Sequence, residues 1–393
     1  MRAPPPEVIF HRYFHSPIPV DQRDYRGKAD LDRLHNCALP APLLEDLQRI
    51  LNDALHNARQ DRLHAQHGTL HFDYIDSDIP NALAFSSEGY AFIGVTIALL
   101  NSLWETSFRL SRAPEVSGIL QLRAAVNLDL LQVQLFRLQI FFIVGHEWAH
   151  HVFGHTFTAA AASAVVSSTG PTFVDEIVVT GTTGDLRRQT QEVVADGYST
   201  YYALHNLIVG DERPKALGLL EVGAATEVAQ DSILLSCFVV AIAGFMFVRR
   251  PQALNAATAY TMTHPAQALR LRLLLESAKL WSRDYRQNLT DDISAERFRP
   301  IMRAVAVATW GMNGGTDWTD QIAFLVSDTG DEYARRLIDS RNASVQAMGL
   351  DAPERVGRAH YRWGRRSRLL LSISNQFEKA RRRFVQYLTG RDS

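Results

Sequence analysis

The chain of 393 residues is 46% hydrophobic and 21% charged, proportions that build a packed globular core and exclude the disordered regime of low hydrophobicity and high net charge. Its formal charge of -1 hides a local asymmetry: residues 353–393 hold ten Arg and one Lys against Glu354, Glu378 and Asp392, so a tail of +8 is balanced by -9 elsewhere. The two cysteines, Cys37 and Cys237, stand far apart without C-x-x-C spacing, which excludes a disulfide framework and leaves His and carboxylates as the available metal ligands.

The opening residues, MRAPPPEVIFHRYFHSPIP, interrupt any apolar run with prolines and charges. A signal peptide is not expected there, and a cytoplasmic location follows by default. Residues 1–40 read as an extended arm. From Ala41 to about Gln66, Leu43, Leu47, Ile50, Leu51 and Leu55 form one apolar stripe at helical spacing, so residues 1–68 are expected to be an arm followed by a helix.

A strand region comes next. Leu70, Phe72 and Tyr74 alternate with His71 and Asp73, and after Asp78-Ile79-Pro80 two further apolar runs flank Ser86-Ser87-Glu88-Gly89 as a hairpin would. The second run, Tyr90 to Gly94, is expected to be an edge strand whose main chain, with Tyr90 and Phe92 as contact residues, takes up an extended peptide by strand addition. Thr96 to Leu110 returns to helical spacing through Ile97, Leu100, Trp104 and Phe108.

Beyond Pro114 a long helix is expected, in which Arg137 and Glu147 are the only formally charged residues between Leu130 and Phe153. A helix so apolar all round belongs in a core. It nevertheless carries GHEWAHHVFGH, Gly145 to His155. His146 and His150 are one helical turn apart on one face, and Glu147 stands beside them. This H-E-x-x-H pattern supplies two imidazole ligands and a carboxylate suited to activating water at a zinc ion. A buried charge costs several kcal/mol unless something answers it, and a bound cation is such an answer.

Two histidines leave a third ligand to be found. The metzincin continuation fails, because Phe153 and Thr156 stand where Gly and His are required. The carboxylates in the following 50 residues are Asp175, Glu176, Asp185, Glu192 and Asp196. The first three lie in or beside residues 156–184, a stretch poor in charge and rich in Ala, Ser, Thr, Val and Gly that reads as a mobile excursion, a flap over the cleft. Glu192 and Asp196 are four apart on an expected helix from Leu186 to Ile208 and share a face. Glu192 is therefore the expected third ligand, and Asp196 the acceptor that orients a ligand histidine and fixes its tautomer.

Ile233 to Val248 is an apolar run of sixteen residues followed by Arg249-Arg250. It is shorter than the roughly twenty residues of a membrane span. A buried core helix is expected, with membrane contact through 233–248 as the alternative. From Thr263 the chain is helical, broken by the Gly-rich Met312 to Asp317. His264 before Pro265 suits a helix start as well as a place near the cleft. Arg270 reads as an ion-pair partner for a carboxylate of the Glu192 helix. The C-terminal arginines, interleaved with aromatics, read as a solvated amphipathic helix, and no nucleic acid is expected as a partner.

GHEWAHHVFGH, QEVVADGYS and YTMTHPAQALR together resemble the three-part signature of the HtpX-type metallopeptidases, the family that also includes the CaaX prenyl protease. IPNALAFSSEGYAFIG is similar to that family's strand region, so the resemblance spans roughly residues 70 to 275. The phage-exclusion peptidases of the Lit type are a second, similar group. The resemblance implies a zincin-like, predominantly helical α+β domain over 69–285, with residues 286–393 as a helical extension. It also implies Zn2+ held by His146, His150 and Glu192, with Glu147 as general base and His264 near the reacting carbonyl. Asp196 and Arg270 would support the ligands, and a protein or peptide would be the substrate. The rival reading is a non-catalytic, zinc-stabilised interaction or regulatory protein that uses its basic tail. The oligomeric state is not legible.

Overall fold

The computed structural model describes residues 4–15, 25–33, 69–120, 127–155, 173–175, 186–210, 212–220, 226–248, 254–290 except 261 and 263, 295–310 and 327–347, with isolated residues between 37 and 52 and between 293 and 324. The Arg-rich tail, the Gly-rich break and all of the 156–184 excursion except 173–175 lie outside the described residues. The described residues form two compact units, one within 1–102 and 150–177 and the other within 103–149 and 178–359. The protein is mostly helical with one small mixed sheet, the α+β class expected.

The first unit is organised by that sheet. Strands β1 (Thr69–Ile75), β2 (Ala82–Ser87), β3 (Tyr90–Thr96) and β4 (Phe173–Asp175) lie in the order β1-β3-β2-β4. β2 and β3 form the hairpin read from the sequence. Its two-residue loop places Glu88 at φ 49° and Gly89 at φ 80°, the positive-φ pair that matches the twist of the flanking strands. β4 pairs antiparallel with β2 through Leu83 to Phe85.

One expectation is corrected here. β3 is an inner strand, paired in parallel with β1 along Thr69 to Ile75 and antiparallel with β2. The hairpin partner β2 was legible from the turn between them, whereas the parallel neighbour β1 enters from across the loop at 76–81, which no local pattern announces. With a strand on each side, Tyr90 to Gly94 has no open ladder for a peptide. Phe92 is fully buried, stacked at 5.1 Å on Phe85, and Tyr90 stacks on it at 5.9 Å.

The N-terminal residues also depart from an extended arm. Pro6–His15 is a helix, α1, with Pro at the first position, where its missing N–H costs nothing. Ile9, Phe10, Tyr13 and Phe14 make one buried face against Ile75, Leu83, Phe85 and Phe92. Tyr13 stacks on Phe85 at 4.1 Å. Burying each such aromatic contributes about 1.5–3 kcal/mol, enough to hold a helix too short to stand alone.

Residues 26–29 do run extended, along the outer edge of β1. The Ala29 amide donates to the Tyr74 carbonyl at 2.9 Å and the Asp76 amide to the Gly27 carbonyl at 2.9 Å. Further along the same edge the Asn52 side chain stands in for a strand. Its Nδ2 donates to the Phe72 carbonyl at 2.8 Å and its Oδ1 accepts from the Phe72 amide at 2.7 Å. Beside it the buried Asp73 carboxylate takes Gln48 Nε2 at 2.7 Å and Lys28 Nζ at 2.8 Å.

The second unit is helical. Its elements are α3 (Pro114–Ile119), α5 (Leu186–Leu204), α6 (Arg213–Leu219), α7 (Glu227–Met246), α8 (Ala256–Ala259), α9 (Gln267–Tyr285), α10 (Ala295–Trp310) and α11 (Asp328–Ala347). It also holds most of α2 (Ile97–Arg112) and α4 (Leu128–Val152). α4 and α7 are long and apolar enough to cross a membrane, and 72% of each apolar window is buried inside the protein. Polar contacts fix them to each other: Gln139 on α4 donates to the Ala241 carbonyl on α7 at 3.0 Å and accepts from Ser107 on α2 at 3.0 Å.

Arg137 explains its place in the apolar α4 by pairing with Glu212, to which Lys215 also donates at 2.7 Å. Burial pushes the Glu212 carboxyl up, but the Arg137 and Lys215 charges outweigh it and hold it below its ordinary value. A carboxyl depressed in this way stabilises the fold above its unfolded pKa of about 4.3, and the contribution is lost as pH falls through the lower folded value. Arg137→Met should therefore lower stability at pH 7 by about 1.5–3 kcal/mol, the range for a hydrogen bond to a charged group, with Lys215 still paired to Glu212. The difference from wild type should shrink in acid unfolding curves once Glu212 is protonated in both proteins.

Candidate metal centre

Two helices supply the site. On α4 the polar residues His146, Glu147 and His150 follow the apolar run Ile140 to Val144, and all three are completely buried. On α5 the carboxylates Glu192 and Asp196, 3% and 2% exposed, recur at the same interval of four. Helical geometry turns each interval into a shared direction, so each helix presents one polar stripe. The stripes meet: ligand atoms of His146, His150 and Glu192 all lie within 4.8 Å of one another, as a metal site requires.

The outer hydrogen bonds assign the ring nitrogens. His146 Nδ1 lies 2.9 Å from Asp196 Oδ1. The carboxylate can only accept, so Nδ1 carries the hydrogen, and in the neutral ring Nε2 keeps its lone pair. That Nε2 faces Glu192 Oε2 at 3.2 Å. Two acceptors at this distance are the arrangement a bound cation reconciles. The donor set, two imidazoles and a carboxylate in a buried pocket, therefore fits a metal ion.

Asp196 is itself anchored. Arg270, on α9, donates from Nε to Oδ2 at 2.8 Å and from Nη2 to Oδ1 at 2.7 Å, a fork that fixes the carboxylate plane. Burial would raise this carboxyl, yet the Arg270 charge and hydrogen bonds, with those of His146 added, hold it well below the usual carboxylate range. The expectation that Arg270 pairs with a carboxylate of the Glu192 helix is met at Asp196.

His150 is oriented differently. Its Nδ1 lies 2.9 Å from Nδ1 of His155, with both rings buried, so one nitrogen donates and the other accepts. His151 turns away, and its Nε2 meets the Phe92 carbonyl at 2.9 Å, which makes it a sheet contact and not a ligand. His264 comes to the centre, with Nε2 3.3 Å from Glu192 Oε2. Tyr198 is fully buried against Trp148 and Tyr202, and Tyr260 packs on Tyr333. Thr263 lies outside the described residues.

Two residues of the site were not legible in sequence, Gly145 and Ser199. The Ser199 hydroxyl donates to the Phe142 carbonyl at 2.6 Å, and a Cβ at Gly145 would stand 2.8 Å from that hydroxyl oxygen. A glycine before a histidine and a serine seven residues after a carboxylate are both unremarkable locally. The one available signal was position, since Glu192, Asp196 and Ser199 fall on the same face of α5.

The buried ion pair makes a direct prediction. Arg270→Met leaves the Asp196 carboxylate without its counterion and should cost about 3 kcal/mol in denaturant unfolding. Adding Asp196→Asn to that variant should cost less than the sum of the single changes, because the charge left unpaired by the first is removed by the second.

Comparison with known proteins adds the family. The model of peptidase family M48 matches residues 44–278, more than half of the 393-residue chain, and it spans the strands, the H-E-x-x-H helix, the Glu192 helix and the His264 to Arg270 segment. No curated protein and no solved structure matches the chain. The chain belongs to peptidase family M48, the metallopeptidases that include the HtpX and CaaX prenyl protease types, and is accordingly a hydrolase acting on proteins or peptides.

Proposed function

We propose that this protein is a zinc endopeptidase whose centre is formed by His146, His150 and Glu192. The observation that carries this reading is the convergence of those three buried ligands, with Glu147 adjacent to the first of them in the same buried turn. Zinc suits the set because it accepts nitrogen and carboxylate ligands in tetrahedral geometry. Ligands about 2.0–2.1 Å from such an ion stand about 3.3 Å apart, close to the 3.2 Å between His146 Nε2 and Glu192 Oε2. A zinc ion bound there supplies Lewis acidity, acidifying water and polarising the scissile carbonyl.

The chain's own residues do the rest. Glu147 takes a proton from the attacking water as the water oxygen bonds to the peptide carbon. As the carbon–nitrogen bond breaks, Glu147 returns that proton to the departing amine. His264, beside Glu192, supplies a donor to the oxygen on which negative charge develops. Asp196, held by Arg270, keeps the His146 hydrogen on Nδ1 and so keeps Nε2 free to bind, and His155 does the corresponding work for His150. A non-catalytic zinc-stabilised protein would need the ligands but has no use for a buried Glu147, and this favours the peptidase.

Glu147→Gln should lower peptide hydrolysis by about 10²–10⁴-fold while leaving bound zinc, measured by elemental analysis, at the wild-type level. Activity that survives this change would sink the general-base assignment. Glu192→Ala should lose the metal itself, and zinc content equal to wild type would remove Glu192 from the ligand set. The second readout separates an inactive metal protein from an apoprotein.

A further inference from the structure

The contact between Gly145 and Ser199 lies beside the candidate ligands, Gly145 immediately before His146 on α4 and Ser199 seven residues after Glu192 on α5. Ser199 follows Glu192 by seven residues and Asp196 by three, so the three side chains form a single stripe on α5. On α4 the facing residues are Phe142, which accepts the Ser199 hydroxyl at 2.6 Å, and Gly145. In an α-helix the Phe142 carbonyl also accepts the amide of the residue four later, which is His146. Ser199 thus grips the backbone group that begins the His146 turn, and it is fully buried there.

Gly145 sets how close that grip can come. A Cβ built on it would lie 2.8 Å from Ser199 Oγ, 3.6 Å from Ser199 Cβ and 3.8 Å from Ser199 Cα. Only the hydroxyl oxygen is too near, since contacts beyond 3.4 Å are ordinary. A side chain at 145 would therefore have to part the helices by about 0.6 Å, or turn the hydroxyl away and forfeit its bond to Phe142. Metal centres keep their ligand distances to about 0.2 Å, so parting the helices by about 0.6 Å exceeds what the centre tolerates.

We infer that Gly145 is a positioning residue: lacking a side chain, it admits Ser199 and so sets the separation of α4 and α5, and with it the reach between His146 and Glu192. The inference rests on the metal centre proposed above. Neither residue touches metal, substrate or the reacting atoms.

The test compares Gly145→Ala, Ser199→Ala and the double variant, loaded with zinc or with cobalt(II) as a spectroscopic probe. Gly145→Ala should weaken zinc binding by tenfold to a hundredfold, the range for groups that orient ligands, and should reduce the visible cobalt bands that report tetrahedral coordination. Ser199→Ala should stay within about threefold of wild type, since the His146 amide still satisfies the Phe142 carbonyl. The double variant should recover to the Ser199→Ala level, because the offending oxygen is gone and the remaining contacts are ordinary. A merely structural role would not give this recovery in affinity and cobalt spectrum.

If Gly145→Ala does not fold, Ser199→Cys, which sets a larger atom against the glycine, should give an intermediate loss of affinity with wild-type helix content. Wild-type affinity in Gly145→Ala, in Ser199→Cys, or a double variant no better than Gly145→Ala, overturns the positioning role while the metal centre stands. A wild-type protein that takes up neither zinc nor cobalt overturns the metal centre, and the positioning role with it.

Discussion

A carboxylate removed from water must be answered by its neighbours, and at Asp196 three hydrogen bonds arrive from two elements. Arg270 on α9 holds both oxygens with a planar fork, and His146 on α4 takes the remaining direction on Oδ1. The order of dependence runs outward to inward. The guanidinium fixes the carboxylate plane, the carboxylate fixes the imidazole tautomer, and the imidazole then offers Nε2 toward Glu192. Each link would be costly to bury alone, so together they tie three helices to a single geometry.

The two histidines of the candidate centre are held by unlike partners. His146 donates to a carboxylate, which makes its ring electron-rich, whereas His150 shares a hydrogen with the ring of His155. A charged acceptor raises ligand basicity more than a neutral one. The His146 side of the centre is therefore the firmly anchored one, joined through Asp196 to α9. The His150 side is closed by His155, just beyond the end of its own helix, and the next residue, His151, is fastened to the Phe92 carbonyl of the sheet.

How much of this was legible follows from how each feature is encoded. His146, His150, Glu192 and Asp196 could be grouped from sequence because a helix converts an interval of four into a common face, and Arg270 reads as an ion-pair partner for a carboxylate of the Glu192 helix. The sheet order could not be read in the same way. β2 and β3 are joined by a turn with its own chemistry at Glu88-Gly89, but the parallel seat of β1 beside β3 depends on pairing across a loop, and the edge-strand reading of Tyr90 and Phe92 failed there. α1 was obscured by its prolines, although Pro6 is well placed to begin a helix. Gly145 and Ser199 were invisible for a simpler reason: close approach between helices is a property of two segments more than fifty positions apart, and neither segment signals it alone.

The outer side of β1 is finished by a helix residue and by the chain that precedes it. Asn52 presents its amide to Phe72 as a strand would present a peptide group, and residues 26–29 continue the ladder at Tyr74 and Asp76. On the far side β4 covers Leu83 to Phe85. A bare ladder invites another chain to pair with it. From Phe72 to Asp76 the groups a neighbouring strand would use are already taken by the protein's own residues, so this stretch of the β1 edge is closed to strand addition.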